Sequence, residues 1–238
     1  MVYSTEGIVL KSTSYGEADL IVTYFTKDYG LINLFAKSPR KIKSRFGSSL
    51  EPLTYSRISF VGKEEKLQKI IQSDIIESFQ QIRENYKIFL KLSEVLKILI
   101  EISPKKEPNV ELFKLFLNTL FQIQKKQNPD NYLVFIKVKT LKIMGYFPDF
   151  TYCGICRNKL KEEFYYSQGF IVCRQCISDN SYLNKKPLFF PVSRGVVKLF
   201  NKMSTWSLVF LERVKITDNL LGEMENFLKN HIMNTIKA

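Results

Sequence analysis

All four cysteines of this 238-residue chain lie in one short stretch, as Cys153 and Cys156 and then Cys173 and Cys176. Two residues separate the thiols of each pair and sixteen separate the pairs, a spacing inside the window of four-thiolate zinc sites. Two intervening residues let a tight turn aim both sulfurs at one tetrahedral ion, and sixteen suffice for a hairpin returning to a second such turn. Gly154 lies within the first pair and Asn158, which tolerates left-handed backbone, follows it. "FYYSQGFIV" predicts a hairpin around Gln168-Gly169. Structural disulfides do not suit the intracellular setting expected for the chain, and no βαβ pattern supports a thioredoxin-like redox pair. The expected chemistry is one structural Zn²⁺. Four thiolates leave no open coordination position, and the doubly negative sum repels phosphate. Arg157, Lys159, Lys161 and Arg174 are placed to offset that charge.

A second constellation is cationic. In "AKSPRKIKSRFGSSLEP", Lys37, Arg40, Lys41, Lys43 and Arg45 give five positive charges in nine residues without an acid. The rest of the first eighty residues holds six basic and nine acidic side chains, so this run is a local anomaly. Ser38, Pro39, Ser44 and Gly47 mark it as a loop. A basic loop beside a β-barrel groove suits a phosphate backbone, with aromatics of the barrel available to stack on bases. Tyr24, Phe35 and Tyr55 are the stacking candidates, although small barrels also need such side chains inside. The formal charge of +13 agrees with a polyanionic partner. Lysines outnumber arginines 28 to 8, the bias that AT-rich coding also produces, so local clustering weighs more than the total.

Elements must hold both constellations in place. Five β-prone runs fill the first eighty residues: "EGIVLKSTSY", "DLIVTYFT", "LINLFAK", "LTYSRISFVG" and "KLQKIIQSDII". In the second, Leu20, Val22 and Tyr24 oppose Ile21, Thr23 and Phe25, so both faces are apolar, as in a closed or covered sheet. Ile32, Leu34 and Ala36 oppose Leu31, Asn33 and Phe35 in the third, and Asp28–Gly30 make the tight connection between the two. Five short strands without intervening helices predict an OB-type barrel. From about residue 82 the period becomes helical. Phe89, Leu92, Leu96 and Leu99 form one stripe, and Leu112, Phe113, Phe116, Leu120 and Ile123 another, with Pro104 and Pro108 between them. A third helix is expected from Asn128 as N-cap and Pro129 at its first position to Gly145, with Pro148 just beyond. Two more, over "SRGVVKLFNKM" and "NLLGEMENFLKNHIM", are expected to return onto the helical middle. The fold class is thus α+β and multidomain. Residues 1–80 form an OB-fold nucleic-acid-binding domain, 81–149 and 183–238 a helical domain, and 150–182 an inserted four-cysteine zinc ribbon-like element.

Missing motifs narrow the function. "VGKE" at 61–64 lacks the first glycine and the Ser/Thr of a phosphate loop. The single histidine, His231, reads as a surface residue near a helix end and builds no triad. Carboxylates are scattered, so an enzyme is not expected. No secretory signal and no uncharged apolar run of about eighteen residues occurs, which predicts a cytoplasmic protein with no membrane partner.

Several stretches together are similar to one family. They are Gly7, Val9 and Leu10, then Tyr15-Gly16-Glu17 and Asp19, Ile21-Val22-Thr23, Phe25-Thr26, Gly30, Ala36-Lys37, Arg40 and Ser44. "LKIMGYFPDFTYCGIC" leads through Gly145, Tyr146 and Pro148 into the first cysteine pair, and "MENFLKNHI" closes the chain. This combination resembles the RecO family of bacterial recombination mediators in DNA repair. It departs from the family at Ser38-Pro39, where a small Gly-Ala step is usual. The resemblance implies a nucleoid-associated, non-enzymatic protein that binds single- and double-stranded DNA. It further implies annealing of strands covered by single-strand-binding protein, joining RecR to load RecA, and a helical domain that receives the acidic, apolar C-terminal tail of single-strand-binding protein. The residues alone also admit an RNA-binding accessory protein of translation or transcription, or a zinc-stapled adaptor that binds only protein.

Overall fold

The computed structural model describes residues 1–40, 44, 46–63, 65–126, 129–161, 163–178 and 189–235. The alternating runs at the start of the chain become β1 (Val2–Tyr15), β2 (Asp19–Thr26), β3 (Gly30–Ala36), β4 (Tyr55–Val61) and β5 (Gln68–Glu77). They close into a barrel in the order β1-β2-β3-β5-β4. Neighbours are antiparallel except β3 and β5, which run parallel through Leu34–Gln68 and Phe35–Lys69. This is the expected OB-type barrel. β1 is longer than its sequence run. Val2–Ile8 pair with β4 and Gly7–Tyr15 with β2, and a bulge between Val9 and Lys11 lets one strand serve both neighbours.

Val9, Val22, Tyr24, Ile32, Leu34, Ala36, Ile58, Phe60 and Ile70 fill the interior. Phe25 points to the other face yet is also buried, because it packs on Phe113 at a centroid distance of 5.8 Å. Helical cover over one end of β2 thus accounts for its two apolar faces. The helices of this part are α1 (Gln80–Glu84), α2 (Tyr86–Ile102) and α3 (Val110–Lys125). Asn85 and Asn109 cap the longer two, accepting from the backbone N–H of Ile88 and Leu112. The segment between α2 and α3 runs beside β3: Leu31 bridges to Lys105, and Lys106 N–H donates to the Leu31 carbonyl at 3.1 Å. Gly30 is required there. Its φ is +61°, and a Cβ would lie 2.1 Å from the Glu107 carbonyl oxygen.

These elements make one compact unit, Met1–Pro129, and Asp130–Ala238 make a second. The division falls inside the segment read from sequence as one helical domain. The second unit is built on α4 (Asp130–Ile143), buried on nearly all sides. Pro129 immediately precedes α4, and Asn128, the expected cap, lies outside the described residues. The helix stops as expected. Gly145 takes φ +80°, its N–H bonds to the Lys142 carbonyl, and Tyr146 N–H bonds to the Leu141 carbonyl. α4 packs with α6 (Arg194–Thr205) and α8 (Asp218–Thr235). A small sheet of β6 (Phe164–Ser167), β7 (Phe170–Val172) and β8 (Phe190–Val192) lies in the order β7-β6-β8. Two short helices, α5 (Arg174–Ser178) and α7 (Leu208–Leu211), complete it. No helix among the described residues is long and apolar enough to cross a membrane.

Candidate metal centre and nucleic-acid interface

The four cysteines converge. Their Sγ atoms all lie within 4.8 Å of one another, with Cys153–Cys176 at 3.9 Å and Cys156–Cys173 at 3.8 Å. A tetrahedron of metal–sulfur bonds of about 2.3 Å has edges of about 3.8 Å, whereas a disulfide needs about 2.05 Å. The thiols are free and spaced to hold one tetrahedral metal ion.

Local backbone explains the convergence. Cys153 N–H donates to the Asn158 carbonyl at 2.9 Å and Arg157 N–H to the Cys153 carbonyl at 3.0 Å, closing the first turn. The left-handed residue there is Arg157, at φ +60°, and not Asn158, so the expected turn forms one position earlier. Gln168 and Gly169, both at positive φ, make the two-residue hairpin between β6 and β7. Gly154 N–H bonds to the Ile171 carbonyl at 2.8 Å, which lays the first cysteine turn on β7. A Cβ on Gly154 would meet the Phe170 Cβ at 2.6 Å, so glycine permits that approach. Cys173 leads into α5, which carries Cys176.

Burial alone would push the Cys153 thiol up, but backbone amides of Cys173, Cys156 and Ile155 donate to its sulfur and bring it down to about 6. Burial first, then the neighbouring thiols, push Cys176 the other way. Four crowded sulfurs cannot all ionise without a cation among them. The donor set therefore fits a metal that takes thiolates.

β8 lies beyond residue 182, so the ribbon recruits a strand that the sequence boundary left outside. An aromatic cluster fixes it in the second unit: Tyr166 meets Phe190 at 5.0 Å and Phe227 at 5.5 Å. His231 corrects the sequence reading. It is 2 % exposed, in the interior of α8. Its Nε2 lies 2.8 Å from the Tyr146 carbonyl and its Nδ1 3.2 Å from the Tyr166 hydroxyl. A carbonyl only accepts, so Nε2 carries the proton and Nδ1 accepts from Tyr166. Burial holds its pKa below the usual value, partly opposed by the Tyr146 hydrogen bond. The apolar neighbours around the ring hid this role from sequence reading.

In the first unit, Lys37 and Arg40 are exposed just past β3. Ser38 N–H donates to Asp19 Oδ1 at 2.6 Å, and Arg40 N–H to the Ala18 carbonyl at 3.3 Å. Ser38 takes φ +56°, a left-handed backbone that glycine adopts most readily. Past the basic run, a single 3₁₀ turn at Gly47–Leu50 sits beside Phe46, and Phe46 and Leu50 are buried in the barrel core. The run is thus tethered at both ends. Lys41, Lys43 and Arg45 lie outside the described residues.

The stacking candidates divide. Tyr24 is fully buried inside the barrel, and its hydroxyl has no hydrogen-bond partner among the described residues. Tyr55 is 8 % exposed, packs against Phe113 and donates from its hydroxyl to Glu6 Oε2 at 2.8 Å. Neither presents a ring face to a base, which corrects that expectation for both. Phe35 points outward and is half-buried, meeting the exposed Tyr15 edge to face at 6.0 Å. Sequence reasoning missed Tyr15. Its signal was its place in β1 opposite Asp19, beside the start of the basic segment.

Fold and site define a class: an OB-fold protein with a tethered basic segment and a four-cysteine metal element. The family model described as "Recombination protein O N terminal" matches residues 1–79, and "Recombination protein O C terminal" matches 83–237. The chain is 64% identical over 236 residues to the DNA repair protein RecO of Thermodesulfovibrio yellowstonii, covering 99% of this chain and 94% of that one. It is 30% identical to that of Dehalococcoides mccartyi strain CBDB1, covering 97% and 89%. It is 29% identical to that of Bacillus pumilus, covering 97% and 88%. The chain belongs to the RecO family.

Proposed function

We propose that this chain is a non-enzymatic recombination mediator of DNA repair. It binds single- and double-stranded DNA, anneals complementary strands covered by single-strand-binding protein and, with RecR, helps to load RecA. The observation that carries this reading is the match of both family models, in order, over nearly the whole chain. The relatives named above are DNA repair proteins. Physical support comes from the tethered basic segment: Lys37 and Arg40 stand exposed at the end of β3, next to the outward Tyr15–Phe35 pair. Lys41, Lys43 and Arg45 complete the cationic run in sequence. Phosphates would lie along these cations while bases meet the aromatic pair. The metal is Zn²⁺, and its role is to hold the ribbon against α8.

An open groove between β1 and α2, lined by Leu10, Pro52, Phe89, Leu96 and Ile100 with two lysines, Lys11 and Lys97, against one acid, Glu101, suits an acidic, apolar peptide such as the tail of single-strand-binding protein. The test of DNA binding is its salt dependence. Changing Lys37, Arg40, Lys41, Lys43 and Arg45 to alanine is expected to weaken single-stranded DNA binding. The log–log salt slope should flatten by about 0.7 for each phosphate that the variant no longer neutralises. An unchanged slope would sink the assignment of this segment.

A further inference from the structure

One mouth of the barrel holds a pocket of about 120 Å³ lined by Tyr3, Tyr29, Ile32, Phe60, Gln68 and Lys106. Tyr3 lies near the start of β1, Tyr29 in the β2–β3 turn, Phe60 near the end of β4, and Gln68 opens β5. Strand polarity therefore sets the pocket at the opposite end of the barrel from the basic segment. Three rings wall it. Tyr3 lies stacked on Phe60 at 5.3 Å, and Tyr29 stands edge-on to both, at 5.9 Å from Tyr3 and 5.5 Å from Phe60. Gln68 is 8 % exposed, and its side-chain amide makes no hydrogen bond among the described residues. Rings that merely closed a barrel mouth would need only an apolar residue beneath them. An amide on the wall of a ring-lined pocket offers a donor and an acceptor to a planar edge.

We propose that this pocket takes one pyrimidine base of a single DNA strand, stacked on a tyrosine ring and hydrogen-bonded at its edge to the Gln68 amide. The proposal rests on the DNA-binding function given above. Size favours the smaller base: at about 120 Å³ the pocket is under the roughly 150 Å³ that holds benzene, so it takes in the edge of a single ring and leaves a two-ring purine mostly outside. Reach is adequate. The seven residues of β3 span about 23 Å, within the footprint of roughly 4–16 nucleotides that one OB fold covers.

The test uses the full chain and three oligonucleotides: dT12, dA12, and a strand of the same length that is abasic at every position. Fluorescence anisotropy is expected to show dT12 bound roughly tenfold tighter than the other two, the gain from one well-stacked base. Gln68→Leu and Tyr29→Ala are each expected to erase most of that preference while leaving the salt slope unchanged. Photo-crosslinking of the unaltered chain to an oligonucleotide bearing 5-iodouracil is expected to label Tyr3 or Tyr29, whether or not either variant folds. Tight binding of all three oligonucleotides alike, with label confined to Tyr15 or Phe35, would overturn the pocket and leave the DNA-binding function standing. Failure to bind any of them would overturn both.

Discussion

Two single residues carry distinct roles in the metal element. Cys153 is buried and its sulfur accepts from the Cys173 backbone N–H; as a proposed zinc ligand, its loss would open the four-thiolate set. Because a closed site couples metal binding to folding, Cys153→Ser is expected to lower zinc content well below one ion per chain. The same variant should reduce the melting temperature by roughly 5–10 °C. Full zinc content in the variant would contradict this. His231 pins the ribbon to the turn after α4 through Tyr166 and Tyr146. Its folded pKa lies below the unfolded value of about 6.5. The unfolded chain therefore binds the proton first as pH falls through that value. The stability from this group is complete above about 6.5 and is lost below it, down to the folded pKa. Between pH 7 and 5 the wild type should lose more melting temperature than His231→Gln, and equal losses would contradict the pin.

At the scale of elements, packing depends on places where a backbone comes unusually close. Gly30 joins the β2–β3 turn to the α2–α3 segment, and a Cβ there would overlap the Glu107 carbonyl. Gly30→Ala is expected to cost about 2–3 kcal/mol in denaturant unfolding, and a change under about 0.5 kcal/mol would contradict this explanation of the close approach. The five strands were legible because β-branched and aromatic residues fill "DLIVTYFT" and "LINLFAK" alternates, with a tight turn between them. The long helices were legible from their stripes and caps. Short pieces were not. β8 has three residues and exists only by pairing with β6, and the 3₁₀ turn at Gly47–Leu50 depends on Phe46 and Leu50 entering the barrel. The cysteine quartet was legible because ligand spacing is a local property. Which aromatic side chains face outward was not, since Tyr24 and Phe35 lie on opposite faces of neighbouring strands and alternation alone does not say which face is inside.

The whole molecule carries a formal charge of +13, divided between a barrel-based unit and a unit bearing the metal element. In the function proposed above, mediation draws on the free energy of binding two strands at once. The central claim is that such binding brings complementary strands together without an energy source. The most direct measurement mixes complementary strands, each covered by single-strand-binding protein, and follows duplex formation by fluorescence with and without this chain, in the absence of ATP. Annealing is expected to accelerate with the chain present, and to fall back towards the uncatalysed rate when Lys37, Arg40, Lys41, Lys43 and Arg45 are all alanine. A rate unchanged by the wild-type chain would contradict the account.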